Sequence, residues 1–186
     1  RGLIPDVLSI VVGNLLLSCA LAGLIAAIYQ FQGRPVRWLW LSVPPVLIAG
    51  LVMAFIDSFS ARVGFVGLLL GLQATWALVA VLERRHAIVG RGLWLLAGGL
   101  GLDALVLGVR ALLAVSMPGA VTSMLQGSAV QTLTFLGSFS VVLISSMGFV
   151  FMSRDRADES NRILAALDPL TGVANRRSLI AALDRD

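Results

Sequence analysis

Five apolar runs, near residues 5–29, 36–56, 63–82, 92–115 and 128–152, are separated by short polar breaks. Each approaches or exceeds the roughly 20 residues that a helix needs to cross a hydrocarbon core. None alternates in the two-residue rhythm of a barrel strand. In lipid a backbone must satisfy its hydrogen bonds within its own segment, so the pattern predicts helices. The fold class expected is all-α, a polytopic transmembrane helical bundle of five spans. Past Phe151 the stretch SRDRADESNRILAAL, residues 153–167, contains no Gly or Pro. The fifth span is therefore predicted to continue as a linker helix, reaching about 22 Å beyond the bilayer. This divides the chain into a transmembrane bundle (1–152), a linker helix (153–167) and the start of another unit (168–186).

Composition supports the reading. The 186 residues are 58% hydrophobic and 13% charged, whereas a soluble domain carries about a quarter charged residues. Cys19 is the only cysteine, so no intrachain disulfide forms, and its place in an apolar span suggests packing. All 14 basic residues are Arg. Their placement sets an orientation. The first connection holds Arg34 and Arg37 with no acid, and the third holds Arg84, Arg85 and Arg91 against Glu83. The second balances Asp57 with Arg62, the fourth is uncharged, and the tail is again rich in Arg. The excess of basic residues marks cytoplasmic loops, which puts the first and third connections and the C-terminus in the cytoplasm of a bacterial inner membrane. Trp38, Trp40 and Trp94 flank the basic loops, where an interfacial aromatic belt is expected. With five spans and a cytoplasmic tail, Arg1 lies outside, and a sixth span preceding it in the parent protein is expected.

Few polar groups interrupt the spans. Asp103 falls near the middle of the fourth, where a carboxylate is costly and usually functional. Arg110 follows seven residues later on the same face, too far along the helix for a direct pair. Asp103 is a candidate for ligand or proton sensing or for a structural interhelical bond. Asn14, Gln73 and Gln131 are candidates for interhelical hydrogen bonds or ligand contacts. Pro44-Pro45 interrupts the second span, as a static bend or a hinge. Gly67 and Gly71 form a GxxxG pair, and Ala97 with Gly101 repeats the small-residue spacing, serving packing within one chain or a dimer. His86 has no cluster of metal-ligating residues about it, and the chain holds neither a nucleophile–base constellation nor a phosphate loop. No metal site and no catalytic residue is read from these residues. Charges in the tail alternate in sign, unlike a nucleic-acid patch.

In the linker, Val150, Ala157, Leu164 and Leu167 approach a heptad seam that Ser153 and Ser160 weaken. It reads equally as a marginal coiled coil or a solvated connector. Asp168-Pro169 must end the helix. Gly172 permits a turn, and Asn175 or a neighbour can cap a further helix whose apolar face is Leu179, Ile180 and Leu183. The stretch DPLTGVANRRSLIAAL resembles the opening of a GGDEF domain, the diguanylate cyclase module, which commonly starts D-x-L-T-G-L-x-N-R-R. Asp168, Leu170, Thr171, Gly172, Asn175, Arg176 and Arg177 match at fixed spacing, with Val173 in place of Leu. The likeness covers about twenty residues. The spans resemble, more loosely, multi-helix membrane sensors found ahead of such domains.

The resemblance implies a parent that makes cyclic di-GMP from two GTP with Mg²⁺, as a homodimer bringing two catalytic domains face to face. In that family the matched segment couples linker to catalytic domain, and the metal-binding and guanine-contacting residues lie downstream. The spans would then be a signal-sensing and dimerisation region embedded in the lipid bilayer and answering to a ligand, for which the apolar bundle favours a hydrophobic molecule. Rival expectations are a non-enzymatic receptor with a degenerate output domain, a protein whose output a downstream phosphodiesterase dominates, and a transporter-like bundle.

Overall fold

The computed structural model describes residues 6–85, 90–116, 129–166, 173 and 175. They form five helices: α1 (Asp6–Phe31), α2 (Trp38–Ala54), α3 (Phe59–Glu83), α4 (Gly92–Ser116) and α5 (Ala129–Ala166). The chain is an all-α bundle with several long apolar helices, an architecture consistent with a polytopic membrane protein. Four helices, α1, α3, α4 and α5, are long and apolar enough to cross a membrane. The fifth, α2, has 17 residues and falls short of them. It loses residues at both ends relative to the apolar run: Pro35–Arg37 precede the helix, and the turn around Phe55–Asp57 follows it. Pro44 and Pro45 lie inside α2 without dividing it into two helices.

Central α3 packs against α1, α2 and α4, while α5 packs on α4. Glycine makes the closest approaches. On α3, Gly64, Gly67 and Gly71 meet Val115, Ala111 and Leu107 of α4. The expected GxxxG pair therefore serves packing within the chain. Along the other side of α4, a methyl group added to Gly92 would strike the Met152 backbone of α5, and one added to Gly99 would lie 2.6 Å from Ser145 Oγ. Gly148 of α5 meets the Leu96 backbone in the same way. The small-residue pairs thus set a single antiparallel register: 92 with 152, 96 with 148, 99 with 145.

The largest apolar cluster draws on every helix: Ile25 and Ile28 from α1, Leu41 from α2, Ala77 and Val81 from α3, Leu93, Leu96 and Leu100 from α4, and Met152 from α5. It lies at the end of the bundle where the two Arg-rich connections emerge. Cys19, expected to pack inside, is exposed on the surface of α1; in a membrane-spanning helix an outward small residue costs nothing against lipid.

Candidate functional site

At the basic end the helix termini cap one another. α1 closes on Gly33, whose φ of +68° is the left-handed geometry that glycine tolerates. Gly33 N donates to Gln30 O at 3.0 Å and Arg34 N to Tyr29 O at 2.8 Å, the paired bonds of a Schellman ending. Gln32 N takes the Ile28 carbonyl. The Phe31 carbonyl is left over, and Arg156 of α5 fills that place: its Nη1 donates to Phe31 O at 2.6 Å, and its guanidinium lies 5.0 Å from the centre of the Phe31 ring. Phe31 in turn meets Phe149 of α5 at 6.2 Å. Gln32 Nε2 donates to Ala80 O, in the last turn of α3, at 2.8 Å. Arg34 bridges to Glu83 at 2.7 Å and covers the Tyr29 ring, and the Tyr29 hydroxyl accepts from Trp76 Nε1. The result ties α1, α3 and α5 at one level. Arg156 supplies a cation at the negative end of the α1 dipole and a donor for an orphan carbonyl.

Inside the bundle the polar residues separate into three places. Gln73 and Ser18 join α3 to α1 by an exchange: Ser18 Oγ donates to Gln73 Oε1 at 2.8 Å, and Gln73 Nε2 to Ser18 O at 2.9 Å. Both side chains are buried. Asn14 does not reach across helices; its Nδ2 donates to Ile10 O within α1, because an amide on that partly exposed face finds its own helix first. The Gln131 side chain lies outside the described residues.

Asp103 and Arg110 sit on the stripe of α4 that runs through Gly92, Leu96, Gly99 and Val106. Gly99 and Val106 face Ser145 and Gly137 of α5, so Asp103, between them, is turned toward α5. Both charged side chains are half-buried, and neither has a hydrogen bond or ion pair with a described residue. Ser145 Oγ, buried one turn away, also has no hydrogen-bond partner among the described residues. Pro44 and Pro45 are on α2, away from this interface, so the sensing and hinge candidates do not form one site. Ser145 and Arg156 were not legible as special residues: a serine in an apolar helix and an arginine in a charged linker carry no local signal.

The expected helical continuation is present. α5 is one helix of 38 residues that runs through the linker stretch to Ala166. Val150, Ala157 and Leu164 are all exposed along it, and Arg154–Asp158 and Arg162–Glu159 ion pairs decorate the extension. Asn175 turns back on its end, Nδ2 donating to Ala165 O at 2.7 Å and the backbone N–H to Ala166 O at 2.9 Å. It thus caps the end of α5, and the further helix expected after it lies outside the described residues. Asp168, Leu170, Thr171, Gly172, Arg176 and Arg177 lie outside the described residues, as do His86, Leu167, Leu179, Ile180 and Leu183. No group of metal-ligating side chains assembles among the described residues.

No family model matches the chain, and no curated protein or solved structure matches it either.

Proposed function

We propose that the chain is the membrane-embedded sensory region of a diguanylate cyclase, with five spans, a cytoplasmic C-terminus and a homodimeric parent. The observation that carries this reading is the D-x-L-T-G-x-x-N-R-R stretch, residues 168–177, directly after a helix that does not break between the apolar run and Ala166. Asn175 bonded to the last carbonyls of α5 supports a short, tied joint between that helix and whatever follows it. The excess of Arg at the first and third connections supports the orientation. In α2, 17 residues are at the lower limit for a span, with Pro35 and Trp38 at its entry.

The mechanism follows from which helices touch. A ligand or membrane state that binds one packing of α4 on α5 better than another shifts the population between them. Among the described residues, Asp103 and Arg110 are polar groups on that stripe of α4 and Ser145 is one on α5, and α5 carries the change to residue 166. The catalytic domain beyond, holding GTP and Mg²⁺, would meet its partner productively in only one of the two packings.

The test is the reading frame extended past Asp186, expressed in membranes and supplied with GTP and Mg²⁺. Formation of cyclic di-GMP is expected, and Asp103→Asn should change the rate at equal protein abundance. Well-inserted protein that makes no product would end the cyclase reading and leave a receptor. Unchanged output in Asp103→Asn would remove that residue from sensing.

A further inference from the structure

The starts of α2 and α4 repeat one arrangement. Arg37-x-x-Trp40 opens α2 and Arg91-x-x-Trp94 opens α4. In each, the Trp backbone N–H bonds the Arg carbonyl, Trp40 N to Arg37 O at 3.0 Å and Trp94 N to Arg91 O at 3.2 Å. Each first turn therefore holds a guanidinium at the helix entry and an indole about 4.5 Å further along the axis. Trp38, Trp40 and Trp94 are 64%, 63% and 62% exposed, and Leu39 between the first two is more exposed still. Arg37, Trp38, Leu39 and Trp40 line one open cleft. Neither helix has an acid in its first turn. Arg37, Arg84 and Arg91 are exposed and form no ion pair with a described residue. The one acid of these two connections, Glu83, is engaged by Arg34.

This end of the bundle is thus a collar of exposed cations that form no ion pair with a described residue, with the Asp155 carboxylate of α5 against Gly90 as the acid nearest Arg91, and with exposed apolar surface one turn below Arg37 and Arg91. We propose that the collar binds anionic phospholipid, the Arg37, Arg84 and Arg91 guanidinium groups taking headgroup phosphates while Trp38, Trp40 and Trp94 rest against the glycerol and upper acyl region. A soluble anion would use the cations alone and give the three tryptophans and Leu39 no part in its binding. A lipid satisfies both halves at once, and each basic residue near an anionic surface adds to the attraction. The proposal needs only that these helices lie in a membrane; it is independent of any output domain.

The test uses the intact chain in nanodiscs. Three of its four tryptophans are in the collar, so intrinsic fluorescence reports on it. Brominated phosphatidylglycerol and brominated phosphatidylcholine are compared as quenchers at the same mole fraction. Quenching by the anionic lipid should be at least about twofold stronger at low ionic strength, and the difference should shrink in about 0.5 M salt as charge is screened. Arg37→Gln, Arg84→Gln and Arg91→Gln combined should abolish the preference, while Arg162→Gln, far out on α5, should retain it. Equal quenching by the two lipids would overturn the proposal, as would a preference that survives the triple substitution or is indifferent to salt. Loss of the preference to millimolar inorganic phosphate at constant ionic strength would also overturn it, assigning the cations to a soluble anion. The salt dependence of the unsubstituted chain decides the matter even if the triple variant fails to insert.

Discussion

Gln73 and Ser18 each satisfy the other, and neither position announces its partner 55 residues away. A polar residue in a span can be found by reading along the chain; its mate cannot. Gln73→Leu should leave Ser18 Oγ unpartnered and lower stability in micelles by about 0.6–1.7 kcal/mol, the range for interhelical bonds in membranes. Denaturant titration checks this, and Ser18→Ala combined with Gln73→Leu should cost less than the sum of the two. Asn14, equally visible in the sequence, spends its amide on Ile10 instead. Glycines divide in the same manner. Gly148→Ala places a methyl against the Leu96 backbone, which cannot give way, whereas a methyl on Gly13 meets nothing within 4 Å. The first should destabilise by about 1–3 kcal/mol and the second should be neutral or slightly stabilising through helix propensity. Thermal unfolding of the two purified variants separates them.

At the scale of the helix, the apolar runs and their polar breaks locate all five elements, because twenty-residue apolar segments have few other ways to satisfy a backbone. The ends are less legible. Gly33 signals a helix stop in the sequence, but nothing local says that the last carbonyl of α1 is taken by Arg156, 125 residues on. Nor does Pro44-Pro45 show in advance that α2 stays one helix. Arg156→Met should remove the tie between α1 and α5 while keeping most of the apolar contact. Spin labels at Gln32 and Ser160 should then report a broader or longer distance distribution than in the parent chain, with helix content unchanged. An identical distribution would show that the Phe31–Phe149 contact and the Gly92 and Gly148 approaches hold α5 without it. The candidate site was half legible: Asp103 stands out because a carboxylate is costly in lipid, while Ser145 beside it looks like any small residue until the register of α4 on α5 is known.

For the whole molecule, the two Arg-rich connections emerge together and the apolar cluster drawing on all five helices lies beneath them. A topology follows that can be read directly: reporters inserted at Gly33 and Arg85 should register on one side of the membrane, and one at Asp57 on the other. Reporters at Gly33 and Asp57 on the same side would mean that α2 does not cross. The contact of α4 with α5 also limits what kinds of motion the assembly can use. Backbone-close contact at Leu96 needs a glycine opposite, and Gly148 provides it. Sliding α5 by one turn brings Ser145 or Met152 to that place, and the Cβ of either would collide with the Leu96 backbone as any side chain at 148 would. A piston stroke is therefore obstructed at the first step. What the interface leaves available is a swivel or a tilt about Gly148, so that any travel seen at Ala166 is leverage from a pivot within the bundle.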